Sequence, residues 1–406
     1  EMRYDNMIVI HPQNFVKPLD NTASIDIKVE NVTNKTVSGE MKIKAPEGWS
    51  LKSDTVKFEN LEMAQSRILS VQAEQIKEND MNRYLIGYEL KLDGSDSVQK
   101  GEQTIQLAYA PKKSIKVDGD FSDWDSITGV TMINNGVIDT TSAALDPSKA
   151  KEILSNDPSK ADKVMYTLKT AWDDKNFYVY AQIPDAEQTK NGGLWPGVAP
   201  VFYPLRLRRT EAPFKENPYL FPWNFDCLQL GFKPLETNPD DLFTDDEYYY
   251  KGLKAGIDYE FDLTATTDGG TEIYRVVAPG THFQNYYPTN APLEVPVGAM
   301  DASEKGGKDG QLVIKRDDEN MLTTYECAIS LDNISALKDI LKTVGRGETA
   351  VSRFAFGVGD SGSGSKGSSF WQREMNCVEK LAERGLAPNW SNQSGNINTR
   401  WGFGNY

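Results

Sequence analysis

Short runs in which apolar and polar residues alternate dominate the first quarter of the chain. Ile25-Asp26-Ile27-Lys28-Val29, Met41-Lys42-Ile43, Ile68-Leu69-Ser70-Val71, Tyr88-Glu89-Leu90-Lys91-Leu92 and Ile105-Gln106-Leu107 are separated by Asn, Gly, Pro and Asp every ten residues or so. Successive side chains of a strand point to opposite faces, so a period of two commits each run to a strand with one dry face. A helix would need its apolar residues three and four apart. Strands of this kind, joined by turn residues, bury their dry faces against one another, which predicts an antiparallel sandwich over about residues 8–110.

An Ig-like sandwich is the expected form of residues 1–110. The stretch from Val29-Glu30-Asn31 through Lys44-Ala45-Pro46-Glu47-Gly48-Trp49 resembles the Ig-like modules appended to secreted glycosidases, in which an Asn-x-Thr/Ser … Gly … Pro-x-Gly-Trp progression links two strands. The resemblance implies a spacer. Pro46-Glu47-Gly48-Trp49 reads as a turn leading into a strand, which makes Trp49 a packing residue.

A chain of 406 residues exceeds what one hydrophobic core supports, so a second domain is required. Ala110-Pro111-Lys112-Lys113 is the expected joint, because seven of the eight tryptophans lie beyond it. Two short helical pieces are expected in the second domain, at Asp146 to Leu154, where Pro147 starts a helix, and at Ile334 to Leu341. Neither changes the class. The expectation is an all-β chain: an Ig-like β-sandwich at 1–110, then a larger antiparallel β-sandwich at 112–406 with long loop insertions and short helices.

Landmarks follow in order along the second domain: Val117-Asp118-Gly119-Asp120-Phe121-Ser122-Asp123-Trp124, then Trp172-Asp173-Asp174-Lys175-Asn176-Phe177-Tyr178-Val179, then Asn224-Phe225-Asp226-Cys227-Leu228-Gln229-Leu230-Gly231-Phe232, and finally Phe354-Ala355-Phe356-Gly357-Val358-Gly359-Asp360. Together with the strand Tyr325-Glu326-Cys327-Ala328-Ile329, this series resembles family 9 carbohydrate-binding modules and the wider DOMON-type β-sandwich group. The chain is longer than that pattern, with extra material expected at roughly 134–165, 186–222 and 233–320. From the residues alone, Trp124, Trp172, Phe177 and Val179 are core, and Asp173 to Asn176 form a hairpin turn.

The resemblance implies non-catalytic carbohydrate binding. Sugar recognition needs flat apolar surfaces for pyranose C–H faces and fixed polar groups at the rim. By position the stacking tryptophans become Trp223 and Trp371, and Gln229 falls where a polar contact is expected. Arg373 and Asn376 lie close enough to Trp371 to reach the same ligand, and Trp195 sits in a turn-rich loop. The resemblance also implies structural calcium, for which Asp118 and Asp120 are the candidates among the carboxylates of 118–125; a solvated acidic turn is the other reading. The partners expected are a polysaccharide or oligosaccharide and a catalytic domain of the same parent protein, in a secreted or cell-surface setting.

Several function classes are disfavoured. The formal charge of −15, with no basic stripe, argues against nucleic acid as the main partner. No apolar stretch approaches a membrane span. Cys227, Cys327 and Cys377 have no zinc spacing and allow at most one disulfide. Gly357-Val358-Gly359-Asp360-Ser361-Gly362 fits a dinucleotide fingerprint by spacing, but a Gly/Ser-rich run follows it where a helix should open. Only His11 and His282 are present, and neither lies in a triad motif. Two alternatives stay open: polysaccharide cleavage by paired carboxylates, as a glycoside hydrolase or lyase, and haem binding of the DOMON kind, with His282 as the one plausible histidine ligand.

Overall fold

The computed structural model describes residues 8–20, 23–132, 166–184, 188, 190, 226–234, 258–279, 298–359 and 400–406. The chain divides into two compact units. Unit 1 holds residues up to Tyr109 together with Thr128–Val130 and Asn398–Gly402, and unit 2 holds the remainder from Ala110.

Among the described residues, unit 1 holds the strands β1 (Ile8–Pro12), β2 (Ser24–Asn31), β3 (Val37–Lys44), β4 (Ser50–Leu51), β5 (Thr55–Leu61), β6 (Ser66–Gln75), β7 (Tyr84–Leu92) and β8 (Val98–Ile105). They form two four-stranded sheets, ordered β1-β2-β6-β4 and β5-β3-β7-β8. The alternation in sequence is the alternation in space. Ile25, Ile27 and Val29 of one sheet and Met41, Ile43, Ile86 and Leu90 of the other share one core, while Asp26, Lys28 and Glu30 face outward. Trp49 belongs to that core. Its ring stacks on Phe15 with centroids 5.5 Å apart and meets Tyr84 edge-on at 5.4 Å, and its indole N–H donates to the Lys77 carbonyl at 2.8 Å.

Asn31 closes the β2–β3 turn. Its amide donates to the carbonyls of Lys35 and Leu61, each at 2.8 Å, and its Oδ1 accepts from the Thr33 backbone N–H at 2.9 Å and from the Thr33 hydroxyl at 2.6 Å. The Asn-x-Thr pattern is here a buried turn brace.

The other strands, of which β9, β10 and β21 begin in residues assigned to unit 1 and the rest lie in unit 2, are β9 (Tyr109–Pro111), β10 (Val130–Met132), β11 (Tyr166–Trp172), β12 (Asn176–Pro184), β13 (Cys227–Lys233), β14 (Tyr259–Ala265), β15 (Thr271–Val277), β16 (Gly298–Ala299), β17 (Ala302–Ser303), β18 (Gly310–Asp317), β19 (Leu322–Ser330), β20 (Thr349–Gly359) and β21 (Arg400–Gly404). The helix α1 spans Ser335–Leu341, within the range expected; the helix expected at Asp146 to Leu154 lies outside the described residues. A six-stranded sheet runs β10-β11-β12-β19-β18-β17, and a seven-stranded sheet runs β16-β15-β14-β13-β20-β21-β9. Phenylalanines fill the space between them. Phe177 of β12 meets Phe232 of β13 at 5.1 Å and Phe354 of β20 at 5.4 Å, both edge-on, and Phe261 of β14 joins at 5.9 Å from Phe232.

The expected hairpin turn after Trp172 is present. Asp173 Oδ1 accepts from the backbone N–H groups of Lys175 and Asn176, both at 2.8 Å. The reading of 233–320 as extra material needs correction, because β14 and β15 are interior strands of the seven-stranded sheet and β18 pairs with β19 along its length. Tyr259-Glu260-Phe261-Asp262-Leu263-Thr264-Ala265 alternates with period two like any strand of unit 1, and Phe261 and Leu263 on its apolar face are both fully buried.

Candidate functional site

The two faces of unit 2 that lie away from its phenylalanine core differ in kind. On the six-stranded sheet, the segment Ile115 to Ile127 lies over Tyr178 and Ala328 and buries Trp124 with Ile115, Val117 and Val313. One residue of β19 organises this cover. Glu326 Oε2 accepts from the backbone N–H groups of Asp118 at 3.0 Å and Gly119 at 2.7 Å, and Oε1 accepts from the Trp124 indole at 2.9 Å. Gly119 has φ of +77°, a conformation that side chains rarely adopt, so the turn needs glycine there. Burial raises the Glu326 carboxyl above its ordinary range, and these donors pull it back.

Asp118 and Asp120 belong to the same turn. The Asp118 carboxylate pairs with Lys116 at 2.5 Å and accepts from Asp120 N–H at 2.9 Å, and the Lys116 ammonium holds it below the usual carboxylate range. Asp120 accepts from Ser122 N–H at 3.2 Å and caps the short 3-10 helix Phe121–Trp124. Among the described residues, no three acids, histidines or cysteines gather as a metal site would require.

The far face of the seven-stranded sheet is the unusual one. Every residue of β13 and β14 is buried, on both faces, although half of them are polar or small. Register places Tyr274 of β15, Asp262 of β14, Gln229 of β13 and Gly357 of β20 side by side in one row across the strands. In the neighbouring row, Glu260 stands opposite Gly231. In the row on the other side, Glu272, Thr264, Cys227 and Gly359 follow one another. Glycines at 231, 357 and 359 leave a strip without side chains beside Gln229, with Glu260 and Asp262 along its edge.

Those two carboxyl groups are the strained element. Glu260 is 4% exposed and Asp262 fully buried, and Glu260 Oε2 and Asp262 Oδ1 have no hydrogen-bond partner among the described residues. The Gln229 amide reaches Asp262 Oδ2 only at 3.5 Å, a weak bond at best. Lys233, buried on the same face, pairs with Asp258 at 3.9 Å. Arg275 points elsewhere, donating to Asn333 and lying over the Phe261 ring at 5.9 Å. Burial pushes the Asp262 carboxyl up to about 8. Burial, and then repulsion from Asp262, raise Glu260 well above its ordinary value. Two acids two positions apart on one strand stand roughly 7 Å apart along it, close enough to oppose each other's ionisation.

Of the sequence candidates, Gln229 lies in this face, 6% exposed and directly opposite Asp262. Trp195, Trp223, Trp371, Arg373, Asn376, Cys377 and His282 lie outside the described residues. Trp124 and Trp172 are core, each 1% exposed. Sequence reasoning passed over Glu260 and Asp262, because it placed them in the extra material of 233–320 and not on a strand of the sheet. Cys227 and Cys327 are both fully buried.

Comparison with family models finds no match, and neither does comparison with curated proteins. Among solved structures, the chain is similar to a family 9 carbohydrate-binding module from Caldicellulosiruptor kristjanssonii in complex with cellotriose, at 14% identity and a TM-score of 0.26 over 63% of this chain and 78% of that one. The same module in complex with glucose gives 15% identity and a TM-score of 0.26 over 63% of this chain and 80% of that one. A FixG-related protein from Vibrio parahaemolyticus is similar over 25% of this chain and 94% of its own, at 17% identity and a TM-score of 0.18. Superpositions this loose assign neither a family nor a ligand.

Proposed function

We propose that unit 2 binds carbohydrate on the far face of its seven-stranded sheet, as the non-catalytic accessory region of a secreted polysaccharide-degrading enzyme, with unit 1 as an Ig-like spacer. The observation that carries this reading is the row Asp262–Gln229–Gly357 with Glu260 beside it: fixed acceptors and an amide next to a strip bare of side chains. A pyranose ring presents a flat face and a rim of hydroxyls, so it needs a floor without protrusions and acceptors at the edge. Trp223 and Trp371 are the stacking residues of the same proposal, and tethering to polymer raises the effective concentration of an attached catalytic domain. Replacing Gln229 by Ala removes a hydrogen-bonding group worth roughly tenfold in affinity. Affinity gels loaded with polysaccharides test this. Retardation that weakens in the Gln229→Ala variant supports the assignment, and full retardation of that variant on every retained polymer sinks it.

A second reading is favoured by the raised Asp262 carboxyl, since an acid that keeps its proton near neutrality can serve as a general acid in glycoside cleavage. New reducing ends or unsaturated products from a bound polysaccharide, lost in the Asp262→Asn variant, would establish it.

A further inference from the structure

We infer that the Asp93–Gly94 peptide, at the tip of the β7–β8 hairpin of unit 1, is a site of spontaneous covalent modification, where aspartate is converted to isoaspartate through a succinimide. The site needs no ligand and stands apart from the carbohydrate reading.

An Asp-Gly step favours this ring closure, because glycine has no Cβ to shield the attacking nitrogen or to restrict the backbone. Four such steps lie among the described residues: Asp93-Gly94, Asp118-Gly119, Asp268-Gly269 and Asp309-Gly310. Three of them are held. The Gly119 N–H donates to Glu326 Oε2 at 2.7 Å, and the Asp118 carboxylate is tied to Lys116 and to the Asp120 N–H. Asp268 accepts from the Thr266 hydroxyl and from the Gly270 N–H, while the Gly269 N–H donates to the Thr266 carbonyl at 3.1 Å. Asp309 accepts from the Asp301 N–H at 2.9 Å, and Gly310 is buried where β18 opens, paired with Ile329 on one side and Ala302 on the other. In each of these the carboxyl group is fixed and the glycine nitrogen is engaged or packed.

Asp93-Gly94 lacks both restraints. Both residues are exposed, and neither the Asp93 carboxylate nor the Gly94 N–H has a hydrogen-bond partner among the described residues. The Ser95 N–H closes the turn on the Leu92 carbonyl at 3.1 Å, and φ of +73° at Gly94 makes it a type II turn, whose central peptide takes no part in the closing bond. A Cβ built on Gly94 would meet nothing within 4 Å, so the space beside that peptide is open.

The reaction consumes and returns one water. The Gly94 nitrogen attacks the Asp93 side-chain carboxyl carbon and loses its proton, the N–Cγ bond forms, and one carboxyl oxygen leaves as water. Water then opens the five-membered ring at either carbonyl. Cleavage of the new N–Cγ bond restores aspartate, whereas cleavage of the original peptide bond leaves the chain running through Cβ and Cγ, with a free α-carboxylate. The product has the same mass and charge but one more main-chain atom, in the turn that sets Lys91 opposite Val98 in the edge strand β8.

The test incubates the whole chain at pH 6 and 37 °C for several weeks and maps its peptides by mass spectrometry. Isoaspartate is read from shifted elution at unchanged mass and from resistance to a protease that cuts before aspartate. The expected result is isoaspartate at position 93 at least tenfold above that at 118, 268 or 309. In urea, where the other three lose their restraints, all four should convert at comparable rates. An Asp93→Asn variant closes the same ring by losing ammonia, and its peptide should gain one dalton on hydrolysis. Asp93→Glu, which would need a six-membered ring, should stay unmodified there. Equal conversion of the four steps in the folded chain, or slower conversion at 93 than at any other, would overturn the inference. So would an Asp93→Asn chain whose peptide keeps its mass.

Discussion

Replacing Asp262 by Asn should stabilise unit 2 at neutral pH and do nothing in mild acid. The Asp262 carboxyl titrates near 8 in the folded chain and near 3.8 when unfolded. A folded value above the unfolded one means that the native state binds more protons between them, so stability falls as pH rises from about 4 and levels off beyond 8. Four units at roughly 1.4 kcal/mol each set an upper limit of about 6 kcal/mol at pH 9, and about 4 kcal/mol at pH 7. Relaxation around a buried charge reduces such figures by about half, which leaves roughly 2 kcal/mol at pH 7. Asn has nearly the shape of the protonated acid and no charge to lose. The variant should therefore match the parent at pH 4.5 and melt about 4 °C higher at pH 7, where each kcal/mol is worth about 2 °C in a unit of this size. Scanning calorimetry between pH 4.5 and 9 measures both. A variant that melts below the parent at pH 7, or a parent whose stability does not fall between pH 5 and 8, would refute the placement of an unpaired acid at this position.

Other outcomes follow from the same geometry. Glu326→Ala leaves three donors without their acceptor, and should destabilise unit 2 by about 3 kcal/mol while exposing Trp124, seen as a red-shifted tryptophan emission. Expressed in a glycosylating host, the chain should carry glycan at the exposed Asn34 and none at Asn31 or Asn333, because those two are buried and hydrogen-bonded on both amide atoms; peptide mass spectrometry reads this directly. Cys327 should resist thiol reagents at pH 8 until the chain unfolds, since burial raises its thiol far above the ordinary range. Gly101→Ala should cost unit 1 about 1–2 kcal/mol in urea unfolding, because a Cβ there would stand 2.3 Å from the Tyr88 hydroxyl.

The strands of unit 1 were readable because each is wet on one side. Burial of alternate residues in β2 copies the order Ser24 to Asn31 letter by letter. The same logic misleads in unit 2. Glu260 and Asp262 sit at positions that a half-exposed strand gives to solvent, yet β14 is dry on both faces, and nothing local in Tyr259 to Ala265 distinguishes the two cases. Trp124 was legible as core from its large apolar ring, but its acceptor was not. Glu326 lies within Tyr325-Glu326-Cys327, where its charge reads as a surface residue of a strand, and only pairing with a turn far away in the chain explains it. Period reports which residues share a face, and is silent about what lies against that face.

The Glu326 brace has a consequence for biosynthesis. Its three bonds join residues 202 to 208 positions apart. At a translation rate of about 5–20 residues per second, the turn at Asp118 waits some 10–40 s for its partner. Through that interval Trp124, Asp118 and Gly119 lack the Glu326 carboxylate, so the segment emerges from the ribosome as an unclosed loop with Ile115, Val117 and Trp124 uncovered. Unit 2 is thus a late-committing domain, in which the first part synthesised is among the last to lock. A chaperone that shields residues 115–127 during this delay should raise the yield of folded chain more than one acting on the β19 segment.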